Sequence, residues 1–253
     1  MAKREYRLEG RTAFVTGAAG GLGSGICRRL LDDGAEVVGL DIASPEETAQ
    51  AVGEEDDRFH AVRCDVGDPD STRRVCAEWG ERLGGVDVLV NNAGLLSGRS
   101  DLLNATKEQM LSYFETNSVG ALLMVQGCHS WLRASTFGGR IVNVASRTFH
   151  TGSPCQLAYV ASKGALVGMT RVMARELGSD EITVNAVMPA QVATPGTRQH
   201  SSDEVFARTM SQQAIQKFVT PDDFAGLVSF LASDDGALMT GQTLVYDGGG
   251  LLH

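Results

Sequence analysis

The chain has 253 residues, 43% of them hydrophobic and 21% charged, with 30 glycines and 6 prolines. That length and apolar content suit one α/β domain with a buried core and exclude disorder, and glycines without a three-residue period exclude collagen. A net charge of −9 argues against nucleic acid and anionic membrane as partners, and no apolar run approaches the roughly 18 residues of a membrane span. The first ten residues are charged and lack an apolar stretch, so no secretory signal is read there. The five cysteines (27, 64, 76, 128, 155) include no Cys-x-x-Cys pair, and the five histidines no His-x-x-x-His pair. Neither a disulfide framework nor a metal site is expected, and a reducing, cytoplasmic setting fits best.

Short β-branched runs alternate with longer helical stretches along the whole chain. Strands are expected at Thr12–Thr16, Glu36–Asp41, His60–Asp65, Val86–Asn91, Gly139–Ala145, Thr183–Met188 and Thr243–Asp247. Helices are expected at Leu22–Asp33, Pro69–Leu83, Thr106–Ala134, Leu157–Gly178 and Pro221–Ser233. The first and fourth strands, TAFVT and VDVLVN, are nearly continuously apolar, as in a parallel sheet covered on both faces. This alternation predicts one doubly wound α/β sheet with right-handed crossovers. Glu54–Asp57 reads as a solvated loop. The polar segment 195–217, before the last strand, reads as a substrate lid.

The first strand runs into Thr16-Gly-Ala-Ala-Gly-Gly-Leu-Gly23 and then an amphipathic helix. A glycine-rich turn between strand and helix brings backbone N–H groups, and the positive end of the helix, up to a pyrophosphate. The spacing Gly17-x-x-x-Gly21-x-Gly23 differs from Gly-x-Gly-x-x-Gly, and the absence of Gly-Lys-Ser/Thr argues against a nucleoside triphosphate loop. The second strand ends in Asp41, where a carboxylate accepts from both adenosine ribose hydroxyls and repels a 2′-phosphate. No arginine or lysine stands ready for a phosphate, since Gly20 precedes Gly21 in the turn and Ile42 follows Asp41. NAD is expected over NADP.

Tyr159 and Lys163 stand at i and i+4, on one helix face and roughly 5–6 Å apart at Cβ. A nearby ammonium stabilises phenolate, so the tyrosine pKa is expected to fall towards working pH and suit general acid–base chemistry at an alcohol or carbonyl. Ser146 follows the strand GRIVNVA. It shares a sheet edge with Gly17, Asp41, Asp65 and Asn91, the carboxyl ends where such sheets bind ligands.

These motifs, taken in order, resemble the classical short-chain dehydrogenase/reductase family. The likeness runs from about Leu8 to Gly249: TGAAGGLG at 16–23, CDV at 64–66, NNAG at 91–94, Asn117 in ETNSVG, Ser146, Tyr159 with Lys163, NAVMPA at 185–190 and TGQTLVYDGG at 240–249. The resemblance implies a three-layer Rossmann fold with a seven-stranded parallel sheet, and catalysis by Asn117, Ser146, Tyr159 and Lys163. Tyr159 would exchange the proton with the substrate oxygen, and Ser146 would position that oxygen. Lys163 would tune Tyr159 and hold the nicotinamide ribose, while Asn117 would kink its helix and hold a water. Cofactor contacts are then expected from Gly17, Ala19, Gly20, Gly21, Leu22 and Gly23 in the turn, and from Asp41 and Ile42 at the ribose. Asp65 and Val66 would face the adenine, Asn91, Ala93 and Gly94 the adenosine ribose, and Pro189, Val192 and Thr194 the nicotinamide. The family also implies a homotetramer, with contacts from the helices around Thr106–Ala134 and Leu157–Gly178.

Three residues depart from the family pattern: Arg147 after the serine, Ala190 where glycine is usual, and Tyr246 where valine is usual. In the loop 147–156, Phe149 and His150 are candidate substrate contacts, and Cys155 reads as a small residue filling a gap. The lid carries Arg198, His200 and Arg208 beside Asp203 and Glu204, so its charges do not select an anionic substrate. The leading function is NAD-dependent oxidation of a secondary alcohol or reduction of a ketone. A 3-oxoacyl-thioester reductase is the rival enzyme, and a non-catalytic dinucleotide sensor or scaffold is the rival from another class.

Overall fold

The computed structural model describes residues 7–53, 56–96, 99–198 and 201–252. Its centre is one parallel seven-stranded sheet with the order β3-β2-β1-β4-β5-β6-β7. The strands are β1 (Thr12–Thr16), β2 (Glu36–Asp41), β3 (Phe59–Arg63), β4 (Val88–Asn91), β5 (Arg140–Val144), β6 (Thr183–Pro189) and β7 (Thr243–Tyr246). All seven lie within two residues of the expected ends.

Side-chain alternation sorts the core into two layers. Ala13 and Val15 of β1, Val88 and Val90 of β4, and Val142 and Val144 of β5 face one cluster. Helices α1 (Gly21–Asp32), α2 (Pro45–Val52) and α10 (Pro221–Ala232) contribute Ile26, Leu30, Val52, Phe224 and Val228 to it. Phe14, Leu89 and Ile141, one position out of phase, face the other cluster. That side is closed by α3 (Pro69–Leu83), α5 (Gly120–Ala134) and α7 (Leu157–Leu177) through Cys76, Met124, Leu132 and Met173. Each fully buried aliphatic or aromatic side chain contributes about 1.5–3 kcal/mol of transfer free energy.

Three elements differ from the sequence reading. Helix α2 falls where no element was expected. Ser44 and Glu47 form a reciprocal capping box there, with Pro45 in the first turn. The single helix expected over Thr106–Ala134 divides into α4 (Lys107–Phe114), a π turn (Glu115–Val119) and α5. Among its described residues, the segment read as a substrate lid holds two helices, α8 (Pro195–Arg198) and α9 (Asp203–Ser211). Glu54, Glu55 and His200 lie outside the described residues. Among the described residues, no helix is long and apolar enough to cross a membrane.

The sheet order reverses between β1 and β4, which are direct neighbours. Loops leaving these strands diverge and open a crevice at the carboxyl edge. Thr16, the last residue of β1, joins the two sides. Its hydroxyl donates to Val90 O (3.3 Å) and accepts from Asn92 N–H (3.0 Å) and Ala93 N–H (2.9 Å).

Candidate active site

At the crevice the chain passes through Gly17 with φ +69°, a backbone that L side chains rarely adopt. Asn92 fixes the turn by donating from Nδ2 to Thr16 O (2.9 Å) and Gly17 O (3.1 Å). Helix α1 starts directly afterwards. A Cβ on Gly23 would lie 2.0 Å from Gly17 O, so the helix packs against the turn at a distance only glycine permits. An exposed helical glycine replaced by alanine ordinarily gains about 1 kcal/mol. Gly23→Ala should instead lose about 1–3 kcal/mol through overpacking, read as a lower urea midpoint.

Helices α2, α3, α4 and α10 each begin with a side-chain cap, whereas α1 begins at Gly20 with none. The first N–H groups of α1 and its partial positive charge therefore face the crevice. Gly20, Gly21, Leu22 and Gly23 supply this end, and the uncapped, glycine-lined cradle fits a pyrophosphate. Asp41, at the end of β2, lies beside it. One carboxylate oxygen accepts from Ala19 N–H (2.9 Å) and the other from Ala43 N–H (3.0 Å). Ile42 is exposed. Strand register sets Arg63 of β3 opposite Asp41, so an arginine position adjoins this corner. Only strand pairing reveals it, because the two residues are far apart in sequence.

The remaining expected cofactor residues border the same edge. Asp65 is exposed and accepts from Gly67 N–H (2.9 Å). Val66 is buried against Gly120. The Asn91 side chain, however, turns into the sheet and donates to Asn143 Oδ1 (2.9 Å), and Asn143 donates to Thr170 Oγ1 (2.9 Å). This buried chain ties β4 and β5 to α7, so Asn91 can offer a ligand only its backbone. Pro189 ends β6, and Val192 and Thr194 beyond it are buried. Thr197 pins that loop by donating to Val192 O (2.7 Å) and accepting from Thr194 N–H (2.8 Å). Ala190 is unstrained, because among the described residues the positive-φ non-glycines are Cys155 and Glu181.

The four candidate catalytic residues converge from three elements. Asn117 sits in the π turn, its Oδ1 accepting from Leu95 N–H (2.7 Å) and its Nδ2 donating to Ser162 Oγ (2.9 Å). The kink expected at Asn117 thus takes the form of one π turn, held by bonds to the NNAG loop and α7. Ser162 in turn donates to the carbonyl of Tyr159 (2.8 Å). Lys163 is buried and donates from Nζ to Val144 O (2.7 Å), two residues before Ser146. A Cβ on Gly94 would lie 3.0 Å from Asn117 Oδ1 and 3.2 Å from Lys163 Nζ, which places NNAG, Asn117 and Lys163 together.

Burial pushes Lys163 down to about 8 from its ordinary 10.5. Tyr159 is part-exposed by area, yet its phenol is desolvated. Burial raises its pKa above 10, a hydrogen bond with Ser146 draws it back, and Tyr113 adds to the rise. The lowering expected from Lys163 is therefore overturned for the chain itself. The Lys163 ammonium instead donates to Val144 O, and burial is the largest influence on the phenol.

Sequence reasoning missed two neighbours of this site. Thr148 Oγ1 bonds with Ser146 Oγ (2.8 Å). Tyr113 of α4 meets the Tyr159 ring edge-on, with centroids 6.4 Å apart, and donates to Leu96 O (2.8 Å). Phe149 and His150 fall in a single helical turn, α6 (Thr148–Thr151), with ring centroids 5.2 Å apart and Phe149 lying on Gly164 of α7. Cys155 does not fill a gap. It is exposed, with φ 64°, at the turn before α7. Arg198 pairs with Asp203 and stacks on Phe206 within the segment expected to be a lid.

The family described as enoyl-(acyl carrier protein) reductase matches residues 17–250. The 2-dehydro-3-deoxy-D-gluconate 5-dehydrogenase of Escherichia coli (strain K12) is 34% identical over 256 residues, covering 99% of each chain. The 3-oxoacyl-[acyl-carrier-protein] reductase FabG of Staphylococcus aureus (strain Mu50) is 37% identical over 246 residues, covering 94% of this chain and 97% of that one. A solved short-chain dehydrogenase/reductase of Serratia marcescens, a mutant form, superposes with a TM-score of 0.87 at 29% identity, covering 97% of this chain and 99% of that one. Likeness of this extent, over a sheet and motif order already established, is decisive: the chain belongs to the classical short-chain dehydrogenase/reductase family.

Proposed function

We propose that this oxidoreductase transfers a hydride between NAD and a secondary alcohol or ketone, with Tyr159 as general acid and base. The observation that carries the reading is the convergence of Asn117, Lys163 and Gly94 beside the hydrogen-bonded Ser146–Tyr159 pair. A bound nicotinamide dinucleotide supplies the hydride chemistry, and the protein supplies orientation and proton transfer. Its pyrophosphate would rest on Gly17, Ala19, Gly20, Gly21, Leu22 and Gly23, and its ribose on Asp41. Ser146 donates a hydrogen bond to the substrate oxygen and fixes it beside the phenol. Tyr159 gives that oxygen a proton in reduction and removes one in oxidation. Lys163 would hold the nicotinamide ribose, Asn117 would kink its helix and hold a water, and α8, α9 and the residues to 217 form the substrate lid.

The choice of NAD rests on the Asp41 carboxylate, clamped by two backbone amides and facing the corner where NADP carries a phosphate. Arg63 is a nearby feature that favours NADP. NAD should support the higher kcat/KM, and Asp41→Asn should narrow the NAD-to-NADP ratio by about tenfold, equivalent to about 1.4 kcal/mol. Equal turnover with the two cofactors in the wild-type protein would overturn the assignment.

The relatives' names keep a 3-oxoacyl-thioester reductase as the second reading. They also add sugar acids to the substrates worth testing. A panel of secondary alcohols, sugars, sugar acids, steroids and hydroxyacyl thioesters, followed by NADH absorbance with NADP in parallel, separates these readings. No turnover with any of them, together with intact NADH binding, would favour a non-catalytic sensor. The reading includes a homotetramer, supported by exposed Leu111, Leu122 and Val172 on α4, α5 and α7. It also includes a cytoplasmic setting, which suits free cysteines.

A further inference from the structure

We propose that Arg147 is a positioning residue. Through Asp247 and the turn 248–250, it locks the backbone that carries Ser146 to the end of the lid segment. This rests on the reading of Ser146 as catalytic and of 195–217 as a lid.

Arg147 directly follows Ser146, and its carbonyl starts α6 by accepting from His150 N–H (2.9 Å) and Thr151 N–H (3.2 Å). Its side chain donates from Nη1 to Asp247 Oδ2 (3.1 Å). Asp247 follows β7, and β5 and β7 are not neighbours, because β6 lies between them. The pair therefore spans the end of β6, the strand from which the lid segment departs. The two side chains are only 14% and 2% exposed. A surface ion pair of this kind would matter little, but one withdrawn from water fixes its partners firmly, because breaking it strands a buried charge.

Asp247 does a second job with its other oxygen, Oδ1, which accepts from Gly249 N–H (3.0 Å) and Gly250 N–H (3.1 Å). The turn so held receives the lid's end. Ile215 N–H donates to Gly248 O (2.8 Å), and the buried Gln213 amide donates to Ile215 O (3.1 Å) and Lys217 O (3.0 Å). At the other side, Thr209 of α9 donates to Gln191 Oε1 (3.1 Å), just past β6. Contacts thus run in a closed ring from Ser146 through Arg147, Asp247, Gly248 and Ile215 into α9, and back through Gln191 to the sheet edge. Arg147 is the link that brings the serine into this ring.

Hydrogen exchange on the full chain, measured by mass spectrometry, tests the link without a known substrate. Arg147→Met keeps the stem and removes the charge. It should speed amide exchange about tenfold or more in 146–151, 212–217 and 247–250. Exchange in α1 and β1–β5 should stay unchanged, and NADH affinity, from fluorescence titration, should stay within twofold. Arg147→Lys should restore much of the protection, though not all, because an ammonium lacks the planar fork. Asp247→Asn leaves an oxygen for the glycine amides and should reproduce the Arg147→Met effect in 146–151. The double variant should be no worse than Arg147→Met alone. With the best alcohol of the panel, Arg147→Met should lower kcat about tenfold with little change in KM. Wild-type exchange at 146–151 in Arg147→Met would overturn the proposal. So would uniform acceleration across the strands, or full additivity in the double variant. If no alcohol turns over, the functional reading fails on its own, and the exchange pattern still decides whether the segments are coupled.

Discussion

Tyr159→Phe should lower kcat by about 10²–10⁴, the range that a positioned general acid or base supplies. The ring survives this change, and so does its edge-on contact with Tyr113. Only the hydroxyl bonded to Ser146 is removed. NADH affinity should therefore stay within about twofold, and the loss should fall on kcat, the pattern of an interaction made in the transition state. A variant that keeps near-wild-type turnover would remove Tyr159 from the mechanism. The direction of the Tyr159 pKa adds a second handle. Burial raises it, so the phenol is protonated across the neutral range and serves directly as an acid for carbonyl reduction. Oxidation needs the phenolate, whose fraction grows with pH. The oxidative kcat should accordingly rise from pH 7 to 10, and the rise should vanish in Tyr159→Phe.

The sheet was legible because its signal is local. Strands such as TAFVT and VDVLVN are nearly continuously apolar, and the intervening helices have the length of crossovers. Helix α2 was not expected, although Ser44-Pro-Glu-Glu47 carries a local signal, a capping box with proline at the first turn. The π turn at Glu115–Val119 has no comparable signature. It exists because Asn117 bonds across to Leu95 and Ser162, partners distant in sequence. Site chemistry divides along the same line. Gly17, Asp41, Ser146, Tyr159 and Lys163 stand in contiguous motifs at strand ends or at helical spacing. Arg63 beside Asp41, Tyr113 beside Tyr159 and the Arg147–Asp247 pair arise from strand pairing and packing. The direction of the Tyr159 pKa escapes the sequence for a related reason. Spacing on a helix reports proximity to Lys163, whereas desolvation depends on everything packed around the phenol.

Lys163→Met should lower kcat by at least about 10², since it deletes the cation one turn from Tyr159 on α7 while keeping the stem's bulk. Its effect on stability depends on pH. Lys163 has an ordinary pKa of 10.5 and is pushed down to about 8 by burial. Below pH 8 both folded and unfolded chains hold the proton, and the fold bears the full cost of the buried ammonium. Between about 8 and 10.5 the unfolded chain still holds the proton that the folded chain has released. Stability therefore rises with pH in that window by up to about 1.4 kcal/mol per unit. Tyrosines and cysteines also titrate there, and burial raises Tyr159, Cys27 and Cys64. Their contribution has the opposite sign, but wild type and variant share those groups, so the difference between the two curves isolates Lys163. Urea unfolding at pH 7 and pH 10 should show wild type gaining about 2–3 kcal/mol relative to Lys163→Met. At pH 7 the variant should lose the Nζ bond to Val144 O yet escape the cost of burying the charge, leaving its midpoint close to wild type. Parallel pH curves for the two proteins would mean that the ammonium is not desolvated in the fold. In that case the depressed pKa, and the placement of Lys163 as a buried cation under the candidate site, would both be wrong.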